Sequence, residues 1–130
     1  MLILPLGQAA NAESIVVISN SAVAISAEEV ADIYTGERQF AGGVRLVPVD
    51  NAVLQEGFLS GTLGMDTVKY NRIWARKLFR DGMPQPAMKS GDAEVTAYVK
   101  RTPGAIGYVS TVALGVKVIY TVKCQTAGRC

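Results

Sequence analysis

Segments rich in β-branched residues alternate with amphipathic helical segments along this chain, and this alternation limits the fold more than any other sequence feature. Strand character is found in residues 14–19, 44–49, 105–109 and 116–122. Helical patterns lie between the first, second and third of these segments. Such an alternation is typical of α/β domains, so the sequence predicts a central sheet flanked by helices.

The boundaries of the helices are signalled by capping residues. Ser26 and Glu29 have the spacing of a capping box, in which each side chain bonds the backbone amide of the other residue. Asp50 or Asn51 is predicted to cap a second helix that runs towards Gly61. These signals place one short helix on each side of the strand at residues 44–49.

The longest predicted helix begins at Asp66 or Thr67 and ends before Gly82. Its apolar side carries Tyr70, Ile73, Trp74 and Leu78. Its basic stripe consists of Lys69, Arg72, Arg76 and Arg80. Trp74 and Phe79 are predicted to anchor the core. The basic stripe has three readings: a solvated face, a contact with a protein or membrane, and, least favoured, a nucleic-acid contact.

The remaining segments complete the pattern. Pro48 lacks an amide hydrogen, which places the strand at residues 44–49 near a sheet edge or makes this residue part of a strand end. Ser90 is predicted to cap a helix that ends at residues 102–104. In the last strand, one face is predicted to carry Val116, Val118, Tyr120 and Val122.

Composition excludes several kinds of function. The chain has 130 residues, of which 49% are hydrophobic and 18% charged, enough for one domain with a core of its own. It has no histidine, so Ser-His and Cys-His catalysis is excluded and a metal site is not expected. The net charge of +2 argues against nucleic-acid binding. We therefore expect a protein that is not an enzyme and has no cofactor.

The two ends of the chain carry further signals. Residues 1–12 are apolar and then small, which predicts the remnant of an export signal, with a buried strand as the alternative. No segment reaches the roughly 20 apolar residues that a transmembrane helix needs. The domain is expected at residues 13–123, followed by a tail at residues 124–130. In that tail Cys124 and Cys130 either form a disulfide or remain free thiols.

Three motifs resemble a known family. They are ISAEEVADIYTGE at residues 25–37, YNRIWARKLFRDGMPQP at residues 70–86 and VKRTPGAIGYVS at residues 99–110. Together they look like the second lobe of the phosphate-binding proteins that feed ABC importers, in the type 2 periplasmic-binding-protein superfamily. The resemblance implies a single-lobe α/β fold in a short stand-alone form, a periplasmic location and non-covalent solute binding.

The resemblance also suggests a site. The family holds its anion at an Arg-x-Asp-Gly-Ser-Gly-Thr element, and the matching residues 48–54 of this chain keep only Asp50. The backbone amides of Asn51, Ala52 and Val53 are candidates to hold phosphate or another oxyanion at a helix start. An ionised Asp50 beside them would repel the anion, so weak affinity is expected.

Two roles follow from these expectations. The first is a phosphate-type solute-binding module linked to an ABC permease. The second is an envelope interaction or sensory accessory domain that has lost its ligand and presents a surface, such as the basic stripe, to a partner protein.

Overall fold

The structure, a computed structural model, describes residues 14–122. Its strands are β1 (Val16–Ser19), β2 (Phe40–Ala41), β3 (Val44–Arg45), β4 (Val47–Asn51), β5 (Ala87–Lys89), β6 (Ala105–Val109) and β7 (Lys117–Thr121). Its α-helices are α1 (Val30–Tyr34), α2 (Gln55–Phe58), α3 (Thr67–Asp81) and α4 (Asp92–Arg101). The predicted export signal at residues 1–12 and the tail with Cys124 and Cys130 lie outside the described residues.

The main sheet has five strands in the order β5-β4-β6-β1-β7. Strand β4 is parallel to both β5 and β6, whereas β1 is antiparallel to both of its neighbours. Strands β2 and β3 form a separate hairpin. Pro48 is the second residue of β4, which lies inside the sheet, so it marks a strand end and not a sheet edge.

Helices cover both faces of the sheet and bury two apolar clusters. On the first face α1, α2 and α3 contribute Ile33, Tyr34, Phe58, Tyr70 and Trp74. On the second face α4 contributes Val95 and Val99. Successive residues of β6 alternate between the clusters, because neighbouring side chains of a strand point to opposite faces. This arrangement confirms the predicted central sheet flanked by helices.

The ends of α3 confirm the predicted capping, but one of its core anchors was predicted wrongly. The Asp66 side chain accepts a hydrogen bond from the Lys69 amide at 2.9 Å, and Gly82 ends the helix with a φ of 70°. Trp74 is buried, whereas Phe79 is 93% exposed. At 3.6 residues per turn Phe79 lies about 140° around the helix from Trp74, so both rings cannot face the core. Leu78, also predicted inward, is exposed as well.

The predicted single face of the last strand is also wrong. The pairing of β7 with β1 shifts between Val17 and Ile18, so that Val17 lies opposite Tyr120 and Ile18 opposite Val118. The intervening Ile119 is an extra residue, and such a bulge reverses the alternation of side chains. Val118 is consequently half exposed, while Tyr120 packs against the first cluster.

Glycine is required at residue 104 for two reasons that can be separated by experiment. Gly104 has a φ of 87°, and an added Cβ would overlap the backbone carbonyl oxygen of Arg45. Gly42 also has a positive φ, of 57°, but nothing lies within 4 Å of its Cβ position. Gly42→Ala therefore tests backbone strain alone, and Gly104→Ala tests strain together with the overlap.

We expect Gly42→Ala to lower the free energy of unfolding by about 1 kcal/mol, the cost of a left-handed alanine. Gly104→Ala should lower it by at least about 2 kcal/mol more, because β4 and the turn before β6 must separate. Urea unfolding followed by circular dichroism measures both values. Equal losses in the two variants would contradict the close packing at Gly104.

Candidate functional site

The carboxyl ends of the parallel strands β5, β4 and β6 meet at one edge of the sheet, here called the carboxyl edge. Helix α3 leads from β4 to β5 on one face, and α4 leads from β5 to β6 on the other. The chain therefore reverses its direction of travel across the sheet beside β4. In open α/β sheets ligands bind at such a position, which makes the carboxyl edge the candidate site.

Asn51 connects three elements at the carboxyl edge. It is fully buried at the end of β4, and its Nδ2 donates to Asp92 Oδ1 and to the Tyr108 carbonyl oxygen, each at 3.0 Å. Its Oδ1 accepts a hydrogen bond from the Val53 amide at 3.1 Å. A single amide side chain thus joins β4 to β6, to the start of α4 and to the following turn.

Asp92 accepts several hydrogen bonds beside Asn51. Ser110 donates to it through its amide at 3.1 Å and its hydroxyl at 2.7 Å, and the Thr111 amide donates at 3.0 Å. Partial burial pushes the pKa of Asp92 upward, but these bonds and the one from Asn51 outweigh it and hold the pKa below its usual value. Asp92 is therefore an anion at neutral pH, bound by donors at the end of β6.

Asp50 lies in the core and not beside the surface amides. Its two carboxylate oxygens accept hydrogen bonds from the hydroxyls of Tyr70 at 2.7 Å and Tyr108 at 2.6 Å. Burial raises the pKa of Asp50, and the bonds from the two tyrosines oppose that rise. The expected repulsion of an anion by an exposed Asp50 is thus not the arrangement observed.

The predicted helix start at Asp50 or Asn51 is wrong. Both residues belong to β4, and α2 begins at Gln55. The reason is that both side chains bond groups distant in sequence, so neither is free to cap a helix. The intervening residues form a turn, in which the Leu54 amide donates to the Asn51 carbonyl oxygen at 3.1 Å.

The amides predicted to hold an oxyanion have acceptors within the protein. The Ala52 amide donates to the Lys89 carbonyl oxygen at 2.9 Å, and the Val53 amide donates to Asn51 Oδ1. Val53 is 73% exposed, so the turn itself faces solvent. An anion would bind here only in exchange for these bonds, and oxyanion binding at this turn stays a prediction.

The basic stripe is exposed along α3. Lys69, Arg72 and Arg76 form no ion pair or side-chain hydrogen bond with any part of residues 14–122, and Arg80 lies 3.7 Å from Asp81. No such bond links the stripe to the turn at residues 50–53. The structure therefore presents the predicted ligand residues and the predicted partner surface as two separate features.

The described ends of the chain meet at the carboxyl edge. The Val122 amide donates to the Ile15 carbonyl oxygen at 2.7 Å. In the sheet Val16 lies opposite Val109 of β6 and opposite Thr121 of β7. The segments that flank residues 15–122 therefore join the sheet at the edge that carries Asn51 and Asp92.

Sequence reasoning missed Asp92 and Ser110. Both have a recognisable signal, since Ser110 directly follows a buried strand and Asp92 begins a helix after Gly91. Polar residues that end parallel strands or begin the following helices meet at one edge. Within the described range no helix has the length and apolar character to cross a bilayer, and no three His, Cys, Asp or Glu side chains form a cluster for a metal.

The buried carboxylate can be tested by removing one hydroxyl. Tyr108→Phe should lower the free energy of unfolding by about 1–3 kcal/mol, because a buried acceptor loses a donor. The loss should be larger at pH 8 than at pH 4, since the variant raises the pKa of Asp50 further and ionised Asp50 is then more unfavourable in the folded state. Urea unfolding at both pH values measures it.

Tyr98→Phe is the matched control for this substitution. Its hydroxyl makes no hydrogen bond with the rest of residues 14–122, whereas its ring contacts Lys89 and Arg101. The control should change stability little at either pH. A pH-independent loss in Tyr108→Phe equal to that of the control would show that the hydroxyl does not support the carboxylate.

No protein-family model and no curated protein matches this sequence. Solved structures do match its fold. A phosphate ABC transporter substrate-binding protein from Clostridium perfringens, with bound phosphate, is 17% identical with a TM-score of 0.63, covering 82% of this chain and 44% of that one. An ABC-type phosphate transport receptor from Vibrio cholerae is 16% identical with a TM-score of 0.61, at coverages of 90% and 52%.

PstS from Borrelia burgdorferi is also similar, at 16% identity and a TM-score of 0.57, with coverages of 83% and 47%. The chain spans about half the length of each of these proteins. At such identities the likeness is one of fold, and it confirms the predicted α/β lobe of a periplasmic binding protein. The predicted stand-alone form stays a prediction.

Proposed function

We propose that this chain is a non-enzymatic, periplasmic solute-binding module that holds a small oxyanion such as phosphate at the carboxyl edge and works with an ABC permease. One observation carries the proposal: the ends of the parallel strands and the residues near both ends of the described chain converge on the same edge. A second lobe or a partner joined there would face Asn51 and the following turn. The fold likeness to phosphate-binding proteins supports this reading.

Weak affinity follows from the geometry of the edge. The Ala52 and Val53 amides exchange an internal acceptor for the anion, so each contributes less than a free donor would. Asp92 brings a negative charge to the same edge and is itself bound by Ser110 and Thr111. We therefore expect a dissociation constant for phosphate of about 1 mM or higher until a partner covers the edge.

Thermal unfolding in phosphate or sulfate, against chloride at equal ionic strength, tests the proposal. At ten times the dissociation constant the anion should stabilise the fold by about 1.4 kcal/mol, a rise in Tm of about 5 °C. Val53→Asp places a negative charge on the exposed turn and should abolish the rise. Val68→Asp, at a similarly exposed valine on α3, should leave it intact. No anion-specific rise, or equal loss in both variants, would contradict the site.

A second candidate function, an envelope interaction or sensory domain, is favoured by the outer surface of α3. Phe79 is 93% exposed and Val68 62% exposed on the helix that carries the basic stripe. Exposed aromatic residues and arginines are enriched at protein interfaces. An acidic partner protein would neutralise the arginines and cover Phe79.

Photo-cross-linking in cells tests this second function. A photoreactive residue at position 79 should yield a discrete adduct with an envelope protein, and the same residue at position 53 should not. Replacing Arg72 and Arg76 by glutamate should remove the adduct at position 79, because charge complementarity is lost. Adduct formation that persists after this charge reversal, or its absence at position 79, would contradict the proposed surface.

A further inference from the structure

A groove lies at the end of β4 opposite the carboxyl edge. It is bounded by the end of α1, the β2-β3 hairpin, the start of β4 and the loop after α3. Its main part has a volume of about 390 Å³, and a smaller part of about 280 Å³ adjoins it. Both parts share the residues Gly36, Gln39, Arg45, Met83 and Pro84. The volume of the main part is in the range of small-molecule sites.

The lining of the main part is mostly apolar. Trp74 and Ile33 contribute from the helices, Val47 and Pro48 from β4, and Pro84 from the loop. The two prolines have no amide hydrogen to offer, so this lining favours a hydrocarbon or aromatic body over a polar one. The indole nitrogen of Trp74 already donates to the Tyr34 carbonyl oxygen at 3.0 Å, which fixes the ring.

The charges around the groove leave one cation to recognise a ligand. Arg38 pairs with Glu29 at 3.5 Å, and Lys77 pairs with Glu37 at 3.3 Å. No carboxylate of residues 14–122 lies within ion-pair distance of Arg45. Its guanidinium lies 5.5 Å from the centre of the Phe40 ring, a contact that leaves its charge unneutralised.

We propose that this groove binds a small organic acid with an apolar body. The carboxylate would accept two parallel hydrogen bonds from Arg45, the arrangement for which a guanidinium is shaped. The body would lie against Trp74, Pro48 and Pro84. Asp81, at the far side of the smaller part, pairs with Arg80 and would orient the acid towards Arg45 by repulsion. The proposal is independent of oxyanion binding, because the groove and the turn at residues 50–53 lie at opposite ends of β4.

The experiment uses the intrinsic fluorescence of Trp74, the one tryptophan in the sequence, which lines the groove. The probes are 3-phenylpropionate and the uncharged 3-phenylpropanol, which share the same ring. The acid should change the emission saturably, and the alcohol should bind about tenfold more weakly because it cannot pair with Arg45. Equal affinity of the two probes, or no saturable change with the acid, would overturn the proposal.

Variants separate a specific contact from general charge attraction. Arg45→Gln should weaken binding of the acid about tenfold and leave the alcohol unchanged, whereas Arg72→Gln, an equal loss of charge on α3, should alter neither. Gln39→Glu keeps Arg45 but adds a competing carboxylate to the groove, and should also weaken the acid. Circular dichroism confirms that each variant is folded. An equal effect of Arg45→Gln and Arg72→Gln, or none from both groove variants, would refute the assigned contact.

Discussion

The arrangement of the domain depends on the buried carboxylate of Asp50. It belongs to β4, and the two hydroxyls that satisfy it come from Tyr70 on α3 and Tyr108 on β6. A carboxylate without partners in a protein interior is very unfavourable, so any packing that moves either hydroxyl away carries that cost. The interaction therefore selects both the register of β6 against β4 and the rotation of α3 over the sheet.

Aromatic packing surrounds this polar centre and makes its geometry specific. The rings of Phe58 and Tyr108 are stacked with centroids 3.9 Å apart, and Tyr34 meets Phe58 edge to face at 4.8 Å. The Tyr34 hydroxyl donates to the Val49 carbonyl oxygen at 2.7 Å. Large rings with fixed hydrogen-bonding ends allow few alternative packings, which explains why helices from three parts of the chain settle on one face.

The features that were predictable from sequence are local in the chain. The capping box at Ser26 and the two ends of α3 involve residues within four positions of one another, and the structure contains them as expected. Asp50 was misjudged as a helix cap because its partner Tyr108 is 58 positions away. Residue type alone could not distinguish a surface cap from a buried acceptor. Phe79 was misjudged for the opposite reason: hydrophobicity outweighed a helical angle that could have been counted.

The two ends of β4 are connected by a rigid interior, and this bears on how a lobe of this kind can work. Tyr34 accepts a hydrogen bond from Trp74 at the groove and donates one to β4, while Asn51 holds the carboxyl edge to β6. Such bonds between side chains and distant backbone do not yield by small steps, because breaking one exposes a buried polar group. A ligand at either end therefore meets a preformed surface, and movement on binding falls to the segments that join residues 15 and 122 and not to the sheet.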